Sequence, residues 1–177
     1  DIMAAMTDDV MQVSVIAAIP ILAIVYVGFR KRNPIYALLA LVPVLFGIGG
    51  LVGLSSYLGV SLNIISIMMI PLVIGIGIDD GIHILHRYKE EGRGSIPRVV
   101  QRTGKAIFLT TATTCLAFSS LLFADHPGMR AMAQTPVLGL VLCFIAAILF
   151  LPALISLLLH RSQKSTSWLA RRKIQVR

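Results

Sequence analysis

The chain has 177 residues, of which 56% are hydrophobic and 14% charged, and its formal net charge is +8. Soluble domains carry about 25% charged residues, so this composition excludes an ordinary water-soluble domain and indicates a membrane protein. A strongly basic chain also raises nucleic acid as a partner. Here the basic residues are divided among loops that would face anionic lipid, and no single recognition element gathers them, which argues against nucleic-acid binding.

Five apolar stretches follow in chain order, at 10–29, 35–57, 62–86, 105–123 and 134–159. Each is near the ~20 residues that a helix needs to cross a hydrocarbon core about 30 Å thick. The expected fold is therefore all-α, a multi-pass transmembrane helical bundle of five spans. Asp8 and Asp9 precede the first stretch where a signal peptide would carry basic residues, and no small-residue cleavage site follows it. It reads as a span.

Fifteen of the sixteen basic residues fall on one side of this arrangement. Arg30, Lys31 and Arg32 follow the first span. Arg87, Lys89, Arg93, Arg98, Arg102 and Lys105 separate the third from the fourth, and Arg161, Lys164, Arg171, Arg172, Lys173 and Arg177 follow the fifth. Arg130 alone lies opposite. Basic loops are retained in the cytoplasm, so the expected topology in a cell inner membrane has the N-terminus outside and the C-terminus in the cytoplasm. Residues 1–177 read as one transmembrane domain, and an odd number of spans suggests a piece of a larger protein. The basic cytoplasmic tail, 160–177, fits either an interfacial helix with Trp168 and Leu169 or a plain disordered segment.

The third span ends in IGIGIDDGIHILHRYKEE, and its two acids are out of place in a span otherwise free of charge. Ionisable groups at this depth cost free energy against lipid and normally face the bundle interior or a functional path. Asp79 and Asp80 are adjacent, so they are expected to titrate as a coupled pair. Asp79 lies eight residues before Arg87, about 12 Å by helical rise. Gly75, Asp79, His83 and His86 share one helix face, and Asp80, His83 and Arg87 form an adjacent stripe. Gly75 and Gly77 are expected as helix-packing positions where a second backbone approaches. His83 is either a polar packing residue or a relay member, and His86, close to the interface, is expected to snorkel.

In the fourth span, AIFLTTATTCLAFSS, antiparallel packing puts Thr113 level with Asp79. Threonine hydroxyls in a span can bond their own helix carbonyls. Four of them at one depth, Thr110, Thr111, Thr113 and Thr114, favour a hydroxyl network around the acids. Asp79, Asp80, His83, Thr110, Thr113 and Thr114 are thus the expected proton relay. Cys115 and Cys143 both fall inside spans and read as small apolar fillers. Asp79, His83 and His86 have spacing that a metal could use, but no HExxH motif or third-helix ligand accompanies them, so no metal is expected. Val99 stands where a phosphate-binding loop would need glycine before Gly104-Lys105. No catalytic arrangement is assembled, so an enzyme is not expected, and no cofactor beyond protons as coupling ion.

GIGIDDGIHILHRYKEEG, RTGKAIFLTTATTCLAFSSLLFADHPGMRAM and PVLGLVLCFIAAILFLPALISLL together resemble the membrane half-repeat of the resistance-nodulation-division superfamily, above all its MMPL-type and predicted-exporter lipid transporters. The resemblance extends over about 10–160. It implies two repeats of six spans, of which this chain is similar to the second to sixth of one, with an extracytoplasmic domain between the first two spans. It further implies export of a hydrophobic or lipid-like substrate driven by proton flux through acids on the fourth span, where Asp79 and Asp80 fall. Many MMPL-type members carry Asp-Tyr where this chain has Asp-Asp, which leaves the number of protons per cycle open. The implied partners are membrane lipids, the substrate, the second repeat and the extracytoplasmic domain, with a homo-oligomer left open. Two alternatives share the architecture: a SecD/SecF-type secretion component, and a non-transporting sterol-sensing module.

Overall fold

A computed structural model describes residues 34–59, 64–92 and 94–158, together with five helical positions of the first apolar stretch, 12, 16, 19, 20 and 23. The remainder of the expected first span and the tail at 160–177 lie outside the described residues. The described chain is helical: α1 Pro34–Ala40, α2 Val42–Leu58, α3 Ile64–Met68, α4 Ile70–Glu91, α5 Ile96–Ser119 and α6 Pro127–Ile145. A 3-10 turn, Ser120–Phe123, extends α5, and a π turn, Ala146–Phe150, carries α6 into a last helical segment ending at 158. Four helices or helix pairs are long and apolar enough to cross a membrane: Ile35–Tyr57, Ile65–Glu91, Ile96–Phe123 and Pro127–Leu158. The chain is therefore a multi-pass, all-α bundle.

Proline marks the starts. Pro34 opens α1, and Pro43, Pro71, Pro97 and Pro127 sit in the first turns of α2, α4, α5 and α6. There proline costs no helical hydrogen bond and its fixed φ favours the helix. Leu41 and Met69 are short breaks just before two of these prolines, so two of the spans are each made of two helices. At the other end of α2, Gly59 adopts φ 68° and donates its N–H to the Ser55 carbonyl, an ending that glycine makes without strain.

Two spans begin earlier than their apolar stretches. The fourth starts at Ile96, not 105, and the fifth at Pro127, not 134. Arg98, Arg102 and Lys105 consequently stand on the first turns of α5 rather than in a loop, and Arg130 on the first turn of α6.

α6 occupies the middle of the bundle, packed against α2, α4 and α5, while α4 also touches α1, α2 and α5. The core contains Leu39, Ala40 and Val44, Ile78, Ile84, Leu85 and Tyr88 of α4, Val99 and Ile107 of α5, and Ala147, Leu151 and Ile155. α5 is peripheral, burying only Val99, Gly104, Ile107 and Thr111 along one side. Elsewhere the outward surface is apolar, with Leu45, Leu109, Leu116, Leu149 and Leu157 among its exposed side chains. In lipid such a surface is solvated, so its exposure costs nothing.

Candidate functional site

α4 is two-faced. Its buried side consists of Val73, Gly77, Ile78, Asp80, Gly81, Ile84, Leu85 and Tyr88. Its exposed residues are Leu72, Asp79, His83, His86 and Glu90. Consecutive residues on a helix point about 100° apart, so Asp79 and Asp80 cannot share a face. Asp80 enters the bundle, 5% exposed, whereas the Asp79 side chain is 66% exposed. The expected stripe of Asp80, His83 and Arg87 is split for the same reason: His83 looks outward with Asp79.

The glycines explain how Asp80 comes to lie so close to other backbones. A Cβ at Gly81 would come within 2.6 Å of the Ala40 carbonyl oxygen. Only glycine therefore lets α4 meet the end of α1 next to the acid. One turn earlier, a Cβ at Gly77 would lie 2.7 Å from Cys143 Sγ and 3.0 Å from Val44. Gly47 of α2 abuts the same sulfur, so three helices converge on one small, fully buried thiol. A Cβ at Gly75, by contrast, would meet nothing within 4 Å. Along α4 the close approach is at Gly77 and Gly81.

The outward acid has a partner on its own helix. His83 Nε2 lies 3.4 Å from Asp79 Oδ2, and one turn further His86 Nδ1 lies 3.5 Å from Glu90 Oε1. Arg87 closes the C-terminal end of α4 with Nε 2.9 Å from Glu91 Oε1. The inward acid is less well provided: Asp80 Oδ2 has no hydrogen-bond partner among the described residues. A buried carboxyl oxygen left in this way is costly, and such groups are found where a proton, ion or water is exchanged.

The threonines of α5 do not supply the missing bond. Thr110 donates to the Ile107 carbonyl at 2.9 Å, Thr113 to Thr110 at 2.9 Å and Thr114 to Thr110 at 2.8 Å, all within their own helix. The hydroxyl network expected around the acids is not formed in this arrangement, because carbonyls three and four residues back satisfy each hydroxyl locally. Thr111 differs, being buried with Oγ1 unpartnered. So does Thr135 of α6. Its burial requires knowing which face of α6 packs inward, and the residue spacing alone does not say. Among the described residues no three His, Cys, Asp or Glu side chains converge as a metal site.

Comparison with known proteins agrees with this architecture. The chain is 37% identical over 149 residues to a membrane protein of Methanocaldococcus jannaschii, an alignment covering 79% of this chain and 37% of that protein. It is 30% identical over 138 residues to the hopanoid transporter HpnN of Burkholderia multivorans, covering 77% and 15%. To protein patched homolog 1 of Danio rerio it is 34% identical over 118 residues, covering 63% and 10%. The chain thus spans well under half the length of these relatives. No solved structure matches it significantly. The MMPL family matches residues 1–176, and the chain belongs to that family.

Proposed function

We propose that this chain is the membrane part of an exporter that moves a hydrophobic or lipid-like molecule at the expense of a proton gradient. Membership of the MMPL family points to a transporter rather than an enzyme, and similarity to a hopanoid transporter favours a lipid-like cargo. The observation that carries the coupling role is the separation of two consecutive acids, Asp80 unpartnered at Oδ2 inside the bundle and Asp79 on the outer face beside His83. Protonated, Asp80 is neutral and tolerates a closed, dry bundle. Ionised, it favours hydration or movement of α4 against α1 and α6. Thr110, Thr113 and Thr114 enter this scheme as hydroxyls that exchange their local bonds for water or carboxylate when the bundle opens.

In this reading the protein sits in an inner membrane with the basic end of α5 in the cytoplasm, and further spans and an extracytoplasmic domain complete it. The test is full-length protein in proteoliposomes loaded with a labelled polycyclic lipid. An imposed pH gradient should accelerate lipid movement, and a protonophore should abolish the acceleration. Lipid bound but moved at equal rates with and without the gradient would make this a binding module instead.

A further inference from the structure

α4 and α5 are joined by a turn that glycine makes possible. Gly92 and Gly94 adopt φ 80° and 85°, a region in which other residues are strained, and Ser95 Oγ donates to the Gly92 carbonyl at 2.6 Å. With its hydroxyl engaged there, Ser95 does not cap α5, and the first amides of that helix have no side-chain acceptor. Beside the turn is an open pocket of about 460 Å³, lined by Glu91, Gly94, Ser95, Pro97, Arg98 and Gln101. Its volume is within the roughly 300–1,000 Å³ of small-ligand sites.

The pocket holds one acid and one base that do not pair. Glu91 is the last residue of α4: its Oε1 accepts from Arg87 Nε at 2.9 Å, and its Oε2 has no hydrogen-bond partner among the described residues. Arg98, in the first turn of α5, is exposed and forms no ion pair among the described residues. Gln101, one turn further, is also exposed and brings an amide that can donate and accept. A simple anion on Arg98 would face the Glu91 carboxylate, and a simple cation on Glu91 would face the guanidinium. A ligand that carries both charges satisfies both walls.

The depth of the pocket indicates which zwitterion that is. Lys105 stands at the start of the apolar stretch of α5, and Arg98 lies seven residues, about 10 Å, beyond it. Lipid headgroups occupy that level. Arg98, Arg102 and Lys105 follow one another at spacings of four and three, all exposed, so a basic stripe leads from the pocket to the edge of the hydrocarbon. We infer that the pocket seats the headgroup of a zwitterionic phospholipid with a primary ammonium, the phosphate on Arg98 and Gln101 and the ammonium on Glu91. A primary ammonium has three N–H donors for a carboxylate, and a trimethylated one has none. The bound headgroup ties α4 to α5, about 16 Å along α4 from Asp80. This site goes beyond the transport reading and shares no residue with it.

The experiment follows thermal unfolding of the full-length protein in nanodiscs of phosphatidylcholine alone, or with an equal share of phosphatidylethanolamine or phosphatidylglycerol. A ligand of the folded state raises the midpoint, so phosphatidylethanolamine should raise it by several degrees and phosphatidylglycerol by clearly less. In Arg98→Ala the gain should vanish, and Arg98→Lys should keep part of it. Glu91→Gln should abolish the preference for phosphatidylethanolamine over phosphatidylglycerol. Each gain is read within one variant, so a variant of lower stability still reports, and none of the readings requires transport. Equal midpoints of the wild type in all three lipids, or an undiminished gain in Arg98→Ala, would overturn the proposal. Equal gains from the two added lipids would make the pocket a plain anion site, and a gain as large from soluble phosphoethanolamine in phosphatidylcholine discs would overturn the lipid as its occupant.

Discussion

Asp79 and Asp80 are neighbours in sequence and opposites in setting: Asp79 lies 3.4 Å from His83 on the open face of α4, and Asp80 is 5% exposed on the face that packs into the bundle. One peptide unit thus joins the outer face to the inner one. A shift or rotation of α4 changes both environments together.

The approach of α4 to α1 depends on Gly81. Gly81→Val places a side chain where a Cβ alone would be 2.6 Å from the Ala40 carbonyl oxygen. Backbone cannot yield as a flexible side chain does, so a loss of about 1–3 kcal/mol is expected. Gly53→Ala, where nothing lies within 4 Å, should be neutral or gain up to ~1 kcal/mol from helix propensity. Thermal unfolding of the two variants in one detergent checks both. Equal midpoints would show that the α1–α4 contact does not limit stability.

A similar argument applies to Cys143, fully buried where Gly47 and Gly77 meet its sulfur. Cys143→Leu should overpack this junction and cost about 1–3 kcal/mol, while Cys143→Ala should cost about 1 kcal/mol. In the folded protein the thiol should resist maleimide until denaturant is added. Rapid labelling without denaturant would mean that the three helices do not close on it.

Topology is open to direct labelling. Tyr57→Cys, at the 90% exposed end of α2, should react with an impermeant thiol reagent added outside. Gln101→Cys, exposed among the basic residues of α5, should react only after the cytoplasmic side is opened. The reverse pattern would invert the protein in the membrane.

Much of this was legible in the residues. Long uncharged runs made the spans evident because the bilayer demands internal hydrogen bonding from every crossing segment. Their ends were not, since the basic first turns of α5 and the Arg130 turn of α6 remain helical beyond the apolar stretches, where hydropathy no longer reports. Asp79 and Asp80 were conspicuous as acids in a span, but which one faces inward depends on α1 and α6. Gly75 and Gly77 looked alike, both within a turn of the acids, and only packing separates the open one from the crowded one. The threonines illustrate a competition: own-helix carbonyls are always within reach, so level depth did not suffice to join them to the carboxylates.

The most direct test of the coupling role is neutralisation of each acid. Asparagine is nearly isosteric with aspartate and avoids a buried charge, so Asp79→Asn and Asp80→Asn should insert and fold at normal levels. Neither amide exchanges a proton, and the loss should be greater at Asp80, the residue inside the bundle. In proteoliposomes with an imposed pH gradient, Asp80→Asn should reduce gradient-driven lipid export to the rate seen without a gradient, and Asp80→Glu should restore part of it. Wild-type gradient-driven export by both asparagine variants would contradict the account.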